Sequence, residues 1–125
     1  MRYALLLHYP QPAVPTVRPE EIEAGKAAFH AYAKALDDAG VLRSAEVLQQ
    51  VAKATSLSLK QGTPQVQDGP FAETKEALAG IFMIEVPDLD AALAWAEQCP
   101  AARWGTVEIR PSAVRFVDGT WTGAT

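Results

Sequence analysis

The stretch Asp68-Gly69-Pro70 forces this chain to turn near its middle. Gly69 can take positive φ, Pro70 has no N–H to offer a strand or a helix, and the residue before a proline is pushed out of the α region. The segments on either side are therefore separate elements. Behind the turn, Phe71-Ala72-Glu73-Thr74-Lys75-Glu76 leads into the apolar run Leu78 to Val86, which reads as a buried strand. A tight turn thus delivers carboxylates to the mouth of a core strand.

The two flanks repeat one pattern. Arg2 to Tyr9 is a short apolar strand stopped by Pro10, and Pro12 and Pro15 keep the next stretch irregular. Pro19 suits the first position of a helix, Glu20, Glu21 and Glu23 complement its positive end, and Gly40 stands where a terminating glycine belongs. Between them Ile22, Gly25, Phe29, Tyr32, Leu36 and Ala39 recur at helical spacing. A strand exposed on one side is expected over Val41 to Gln50, and a hairpin over Ala54 to Gln67 with its turn at Gln61 to Pro64. After Leu78 to Val86 comes a second helix, Leu89 to Gln98, opened by Pro87-Asp88 and ended by Cys99-Pro100. A loop over Ala101 to Gly105, a strand over Thr106 to Arg110 and a short strand over Ala113 to Val117 follow.

The order is β-α-β, hairpin, turn, β-α-β. It predicts an α+β fold, a ferredoxin-like split β-α-β with an inserted hairpin, in which one antiparallel sheet carries both helices on a single face. Residues 1–117 read as one domain, and 118–125, rich in Gly and Thr, as a loose tail. The second sheet face is left bare. A bare face of that size is covered by another subunit or shapes a ligand cavity, so a homodimer with a small-molecule cleft is expected.

A net charge of -4, with eleven Lys and Arg residues scattered rather than clustered, argues against nucleic acid or an anionic membrane as partner. One cysteine, Cys99, allows no intramolecular disulfide. The apolar run Tyr3 to Leu7 is too short for a membrane span or a secretory core, which makes the expected location cytoplasmic.

Two residues stand out for chemistry. His8 ends the first strand at the rim of the sheet, and imidazole is the base poised near neutral pH. Asp68 is its expected partner, a carboxylate that would fix the ring and leave one nitrogen free to take a proton. The plainer reading makes Asp68 an Asx turn and His8 a hydrogen-bonded filler. On the strand Thr106 to Arg110, Val107 and Ile109 point one way and Glu108 and Arg110 the other. If the first pair faces the helices, Glu108 and Arg110 face the open side, together with Glu46 and Glu85, as substrate-binding groups or as cross-strand ion pairs. Phe71 and Trp104, with Tyr9, are candidate pocket walls. Two histidines and one cysteine on different elements suit no transition metal, and no phosphate loop or dinucleotide fingerprint occurs, so no metal or cofactor is expected.

Four segments carry a family resemblance. They are the strand Met1 to Tyr9, the helix end Asp38-Ala39-Gly40-Val41, the stretch Asp68 to Gly80, and Asp88-Leu89-Asp90-Ala91-Ala92 through Cys99-Pro100-Ala101-Ala102-Arg103 to Val107-Glu108-Ile109-Arg110-Pro111. Together they resemble the YCII-related proteins, in the branch named for the DGPF turn. The resemblance implies a dimeric α+β barrel, in a superfamily that includes cofactor-independent isomerases, dehydrochlorinases and monooxygenases acting on small, often aromatic molecules. It also implies a His-Asp pair, of which Asp68 is matched by motif, whereas His8 is assigned from its position alone. The chain departs from the pattern at His8, Arg18, Ala45 and Trp104. The function expected is binding of a small organic molecule in an intersubunit cleft, with isomerase-like or lyase-like acid-base chemistry. The alternative is a non-catalytic ligand-binding or regulatory module, since some relatives are linked to sigma-factor proteins.

Overall fold

The computed structural model describes residues 1–11 and 18–123. Its central strand, β1 (Arg2–Tyr9), is followed by α1 (Pro19–Asp38) and by β2 (Leu42–Val47). A small hairpin, β3 (Thr55–Ser58) and β4 (Gln65–Asp68), precedes β5 (Ala77–Glu85), α2 (Leu89–Glu97), the single turn α3 (Ala101–Trp104) and β6 (Thr106–Pro111). A second hairpin, β7 (Val114–Val117) and β8 (Thr120–Gly123), ends the described chain. The main sheet has the order β2-β5-β1-β6 with every neighbouring pair antiparallel. This is the ferredoxin-like split β-α-β arrangement, an α+β fold, with the β3–β4 hairpin inserted between its halves. Pro12, Pro15 and the last two residues of the tail lie outside the described residues.

Alternation along β1 decides which face is sealed. Tyr3, Leu5 and Leu7 are buried, while Ala4, Leu6 and His8 between them are only partly so. The register sets Tyr3 beside Ile84 and Leu5 beside Phe82 on one side, and Leu5 beside Ile109 and Leu7 beside Val107 on the other. These side chains join Tyr32 and Leu36 of α1 and Ala92 and Ala96 of α2 in one core. Burying each of the large apolar groups contributes about 1.5–3 kcal/mol. As expected from strand alternation, Val107 and Ile109 pack under the helices, and Glu108 and Arg110 take the opposite face.

Local chemistry sets the helix ends. α1 starts on Pro19 and stops in a Schellman arrangement, in which Gly40 at φ 75° donates to Asp37 O and Val41 donates to Leu36 O. Ile22 and Ala39, the ends of the predicted apolar stripe, are exposed, so the working face runs from Gly25 to Leu36. Asp88 caps α2 by accepting from Ala91 N–H at 2.9 Å.

Three expectations need correction. The strand expected over Val41 to Gln50 is shorter, Leu42–Val47, with Leu48 N–H still donating to Ala79 O of β5; a 3-10 turn over Val51–Lys53 follows. The expected loop Ala101 to Gly105 contains the turn α3. The tail is not loose throughout, since Asp118 (φ 51°) and Gly119 (φ 78°) make a two-residue hairpin turn that pairs β8 with β7.

Gly105 lets β6 start against the end of β1. A Cβ there would strike the His8 carbonyl oxygen and come within 2.8 Å of Tyr9 Cα, both of them backbone that cannot swing aside. Gly105→Ala is expected to destabilise the fold by about 1–3 kcal/mol, measured by urea denaturation; a variant as stable as wild type would contradict this packing.

Candidate functional site

The bare side of the sheet becomes the floor of a cleft. Leu6 and His8 of β1 and Glu108 and Arg110 of β6 form that floor, and Ala77 and Leu78 at the start of β5 continue it. One wall is the loop Pro70 to Thr74 with Glu76, and the other is Gln11 with the turn Gln50 to Ala54. The volume of this open cleft is about 910 Å³, ample for a small organic molecule.

Hydrogen bonds hold the Asp68 to Glu76 stretch against the hairpin and β6. Gly69, at φ 99°, donates to Ala54 O at 2.7 Å and accepts at its carbonyl from Ser56 Oγ at 2.8 Å. Thr74 Oγ1 donates to Glu76 O at 2.7 Å, and Thr106 Oγ1 donates to Glu76 Oε2 at 2.9 Å. These bonds leave Phe71 88% exposed at the cleft wall.

At the floor one carboxylate serves two partners. His8 Nε2 lies 3.1 Å from Glu108 Oε1, and Arg110 Nε donates to Glu108 Oε2 at 2.8 Å. Strand pairing makes this possible, because β1 and β6 place Leu6 opposite Glu108 and His8 opposite Thr106, so His8 reaches Glu108 along the diagonal. The Arg110 hydrogen bond holds the Glu108 carboxyl below its ordinary value; partial desolvation opposes it, and His8 adds to the lowering.

The predicted site residues separate into two groups. His8, Phe71, Glu108 and Arg110 line the cleft. The expected partner of His8 is replaced, since its hydrogen bond goes to Glu108 and not to Asp68. Asp68 sits on β4 opposite Thr55, is exposed, and is not among the cleft residues. Glu46 is exposed on the edge strand β2 opposite Ile81. Glu85 stands at the far end of β5, in ion pairs with Arg43 at 3.3 Å and Arg2 at 3.6 Å. Its carboxyl is lowered chiefly by the Arg43 hydrogen bond. Trp104 packs edge-on against Tyr9 and Phe29, both at 5.7 Å, on the helix side of the sheet. The walls contributed by Gln11 and by Gln50 to Ala54 had no chemical signature in the sequence.

Two further groups are structural. Cys99 is buried with its thiol pushed up by desolvation, and Tyr32 Oη donates to Trp95 O at 2.8 Å. Among the described residues no group of three or more His, Cys, Asp or Glu is placed to hold a metal ion, and no helix is long and apolar enough to cross a membrane.

Comparison with known proteins gives two findings. Residues 1–113 match the model of the YCII-related domain. An uncharacterised protein of Rhizobium meliloti (strain 1021) is 34% identical over 116 residues, covering 91% of this chain and 94% of the relative.

The Glu108 environment gives a signed pH dependence. A carboxyl lowered in the folded state stabilises the fold at pH above the ordinary glutamate value of about 4.3, and that contribution is lost as pH falls through the lowered value. Arg110→Met should move the Glu108 titration, read from its side-chain carboxyl carbon by NMR, upward toward the ordinary value. An unchanged midpoint would show that the guanidinium does not hold it down.

Proposed function

The chain belongs to the YCII-related family, and on that footing we propose that it binds a small organic molecule in the cleft beside His8 and moves a proton there without a bound cofactor. The observation that carries this reading is the 3.1 Å contact between His8 Nε2 and Glu108 Oε1 at the cleft floor. A carboxylate that engages one ring nitrogen leaves the other free to take a proton from a carbon or hydroxyl and to return it elsewhere on the same molecule. That is isomerase-like or lyase-like chemistry, with Glu108 in the place expected of Asp68. Leu6, Val51, Leu78 and Phe71 supply apolar surface for the body of the ligand, and Arg110 supplies a cation beside the reacting groups.

Within the family the chain is assigned to the DGPF branch on its Asp68-Gly69-Pro70-Phe71 turn. The functional unit in this reading is a cytoplasmic homodimer whose second copy covers the open sheet face. Support comes from Leu6, Ile81 and Met83, apolar side chains that remain partly exposed on the face opposite the helices.

The test uses solvent exchange, which reads proton transfer whatever the product. Small carbonyl and phenolic compounds are incubated with the protein in deuterium oxide and followed by proton NMR. Wild type should exchange protons of at least one compound, and His8→Gln should slow that exchange by about 10²–10⁴-fold. No exchange with any compound, or equal exchange by His8→Gln, would contradict the reading.

A further inference from the structure

We propose that Glu108 decides which imidazole nitrogen of His8 carries the proton, and that Arg110 is the positioning residue that holds the carboxylate against the ring. The inference rests on the acid-base reading of the cleft, yet its test needs no turnover. Arg110 Nε donates to one oxygen of Glu108 at 2.8 Å, and the other oxygen lies 3.1 Å from His8 Nε2. An ionised carboxylate only accepts hydrogen bonds, so neutral His8 must carry its proton on Nε2. The lone pair, and with it the basicity, is left on Nδ1, which makes no hydrogen bond among the described residues.

The guanidinium is what holds the carboxylate in place. Glu108 and Arg110 project from the same face of β6, and a guanidinium is planar and permanently charged. By occupying one carboxylate oxygen it leaves the other turned to His8. Glu76, another carboxylate at this cleft, is already engaged by the Thr106 hydroxyl at 2.9 Å. Glu108 therefore carries the orienting role, and Arg110 holds it there.

Exchanging the carboxylate for an amide distinguishes this from a merely structural ion pair. In Glu108→Gln the amide oxygen is the acceptor that the side chain offers the Arg110 guanidinium, and pairing with it turns the NH₂ group toward His8. Nε2 must then accept, and the ring proton moves to Nδ1. In the double variant Glu108→Gln/Arg110→Met the amide is free to rotate and the switch is lost.

The readout is long-range proton–nitrogen NMR of the imidazoles in the full chain, with the rings neutral and the exposed His30 as internal reference. The expected result is Nε2–H in wild type, Nδ1–H in Glu108→Gln, and a return toward Nε2–H in the double variant. Retention of Nε2–H in Glu108→Gln, or the same tautomer in the single and double variants, would overturn the proposal. A tautomer switch in a protein that exchanges protons with no compound would remove the acid-base reading and leave the role of Arg110 standing.

Discussion

Antiparallel pairing of β1 on both of its edges is the constraint from which the rest follows. Because β5 and β6 both run against it, the alternation Tyr3, Leu5, Leu7 against Ala4, Leu6, His8 is imposed on three strands at once. One set meets α1 and α2 and becomes the core, and the other becomes the floor of the cleft. A slip of one residue in the β1–β6 register would exchange Glu108 for Val107 at the floor. The close approach of Gly105 to the His8 and Tyr9 backbone helps to hold that register where the two strands meet.

Much of this was legible in the sequence, because it depends on local signals. Period-two alternation put Val107 and Ile109 on one face of β6 and Glu108 and Arg110 on the other, and proline, acidic residues and glycine marked both ends of α1. The pair that matters most at the site was not legible. His8 and Glu108 are 100 residues apart, and they meet through a diagonal across two strands whose neighbour relation comes from the sheet order 2-5-1-6. Asp68 was attractive because its turn is conspicuous, but strand β4 pairs it with Thr55 instead. Trp104 was misplaced for a related reason: the turn α3 carries it to the helix side, where Phe29 and Tyr9 enclose it. The Asp118-Gly119 hairpin was a readable signal that the Gly and Thr content of the tail obscured.

The central turn delivers carboxylates to the mouth of β5, as its sequence predicts, while Asp68 itself stays outside the cleft. Gly69 and Ser56 tie the turn to the inserted hairpin, and Glu76 ties its far end to Thr106, so the segment is a wall fastened at both ends. What it brings to the cleft is the exposed Phe71 together with Glu73 and with Glu76, whose carboxylate accepts from Thr106. The catalytic candidates come instead from the sheet, where strand pairing fixes their backbone. Side chains mounted on paired strands hold their geometry better than side chains on loops, which suits the proton transfer proposed for His8.

The central claim is that the open face beside His8 is where this protein meets a small molecule. It is tested most directly by mapping amide shift changes in a proton–nitrogen NMR spectrum during titration with a library of small aromatic and carbonyl fragments. The account predicts that binders perturb Leu6, His8, Leu78, Glu108 and the Phe71 loop together, and leave α1 and α2 unmoved. Perturbations confined to the helix side of the sheet, or no binder in the library, would contradict it.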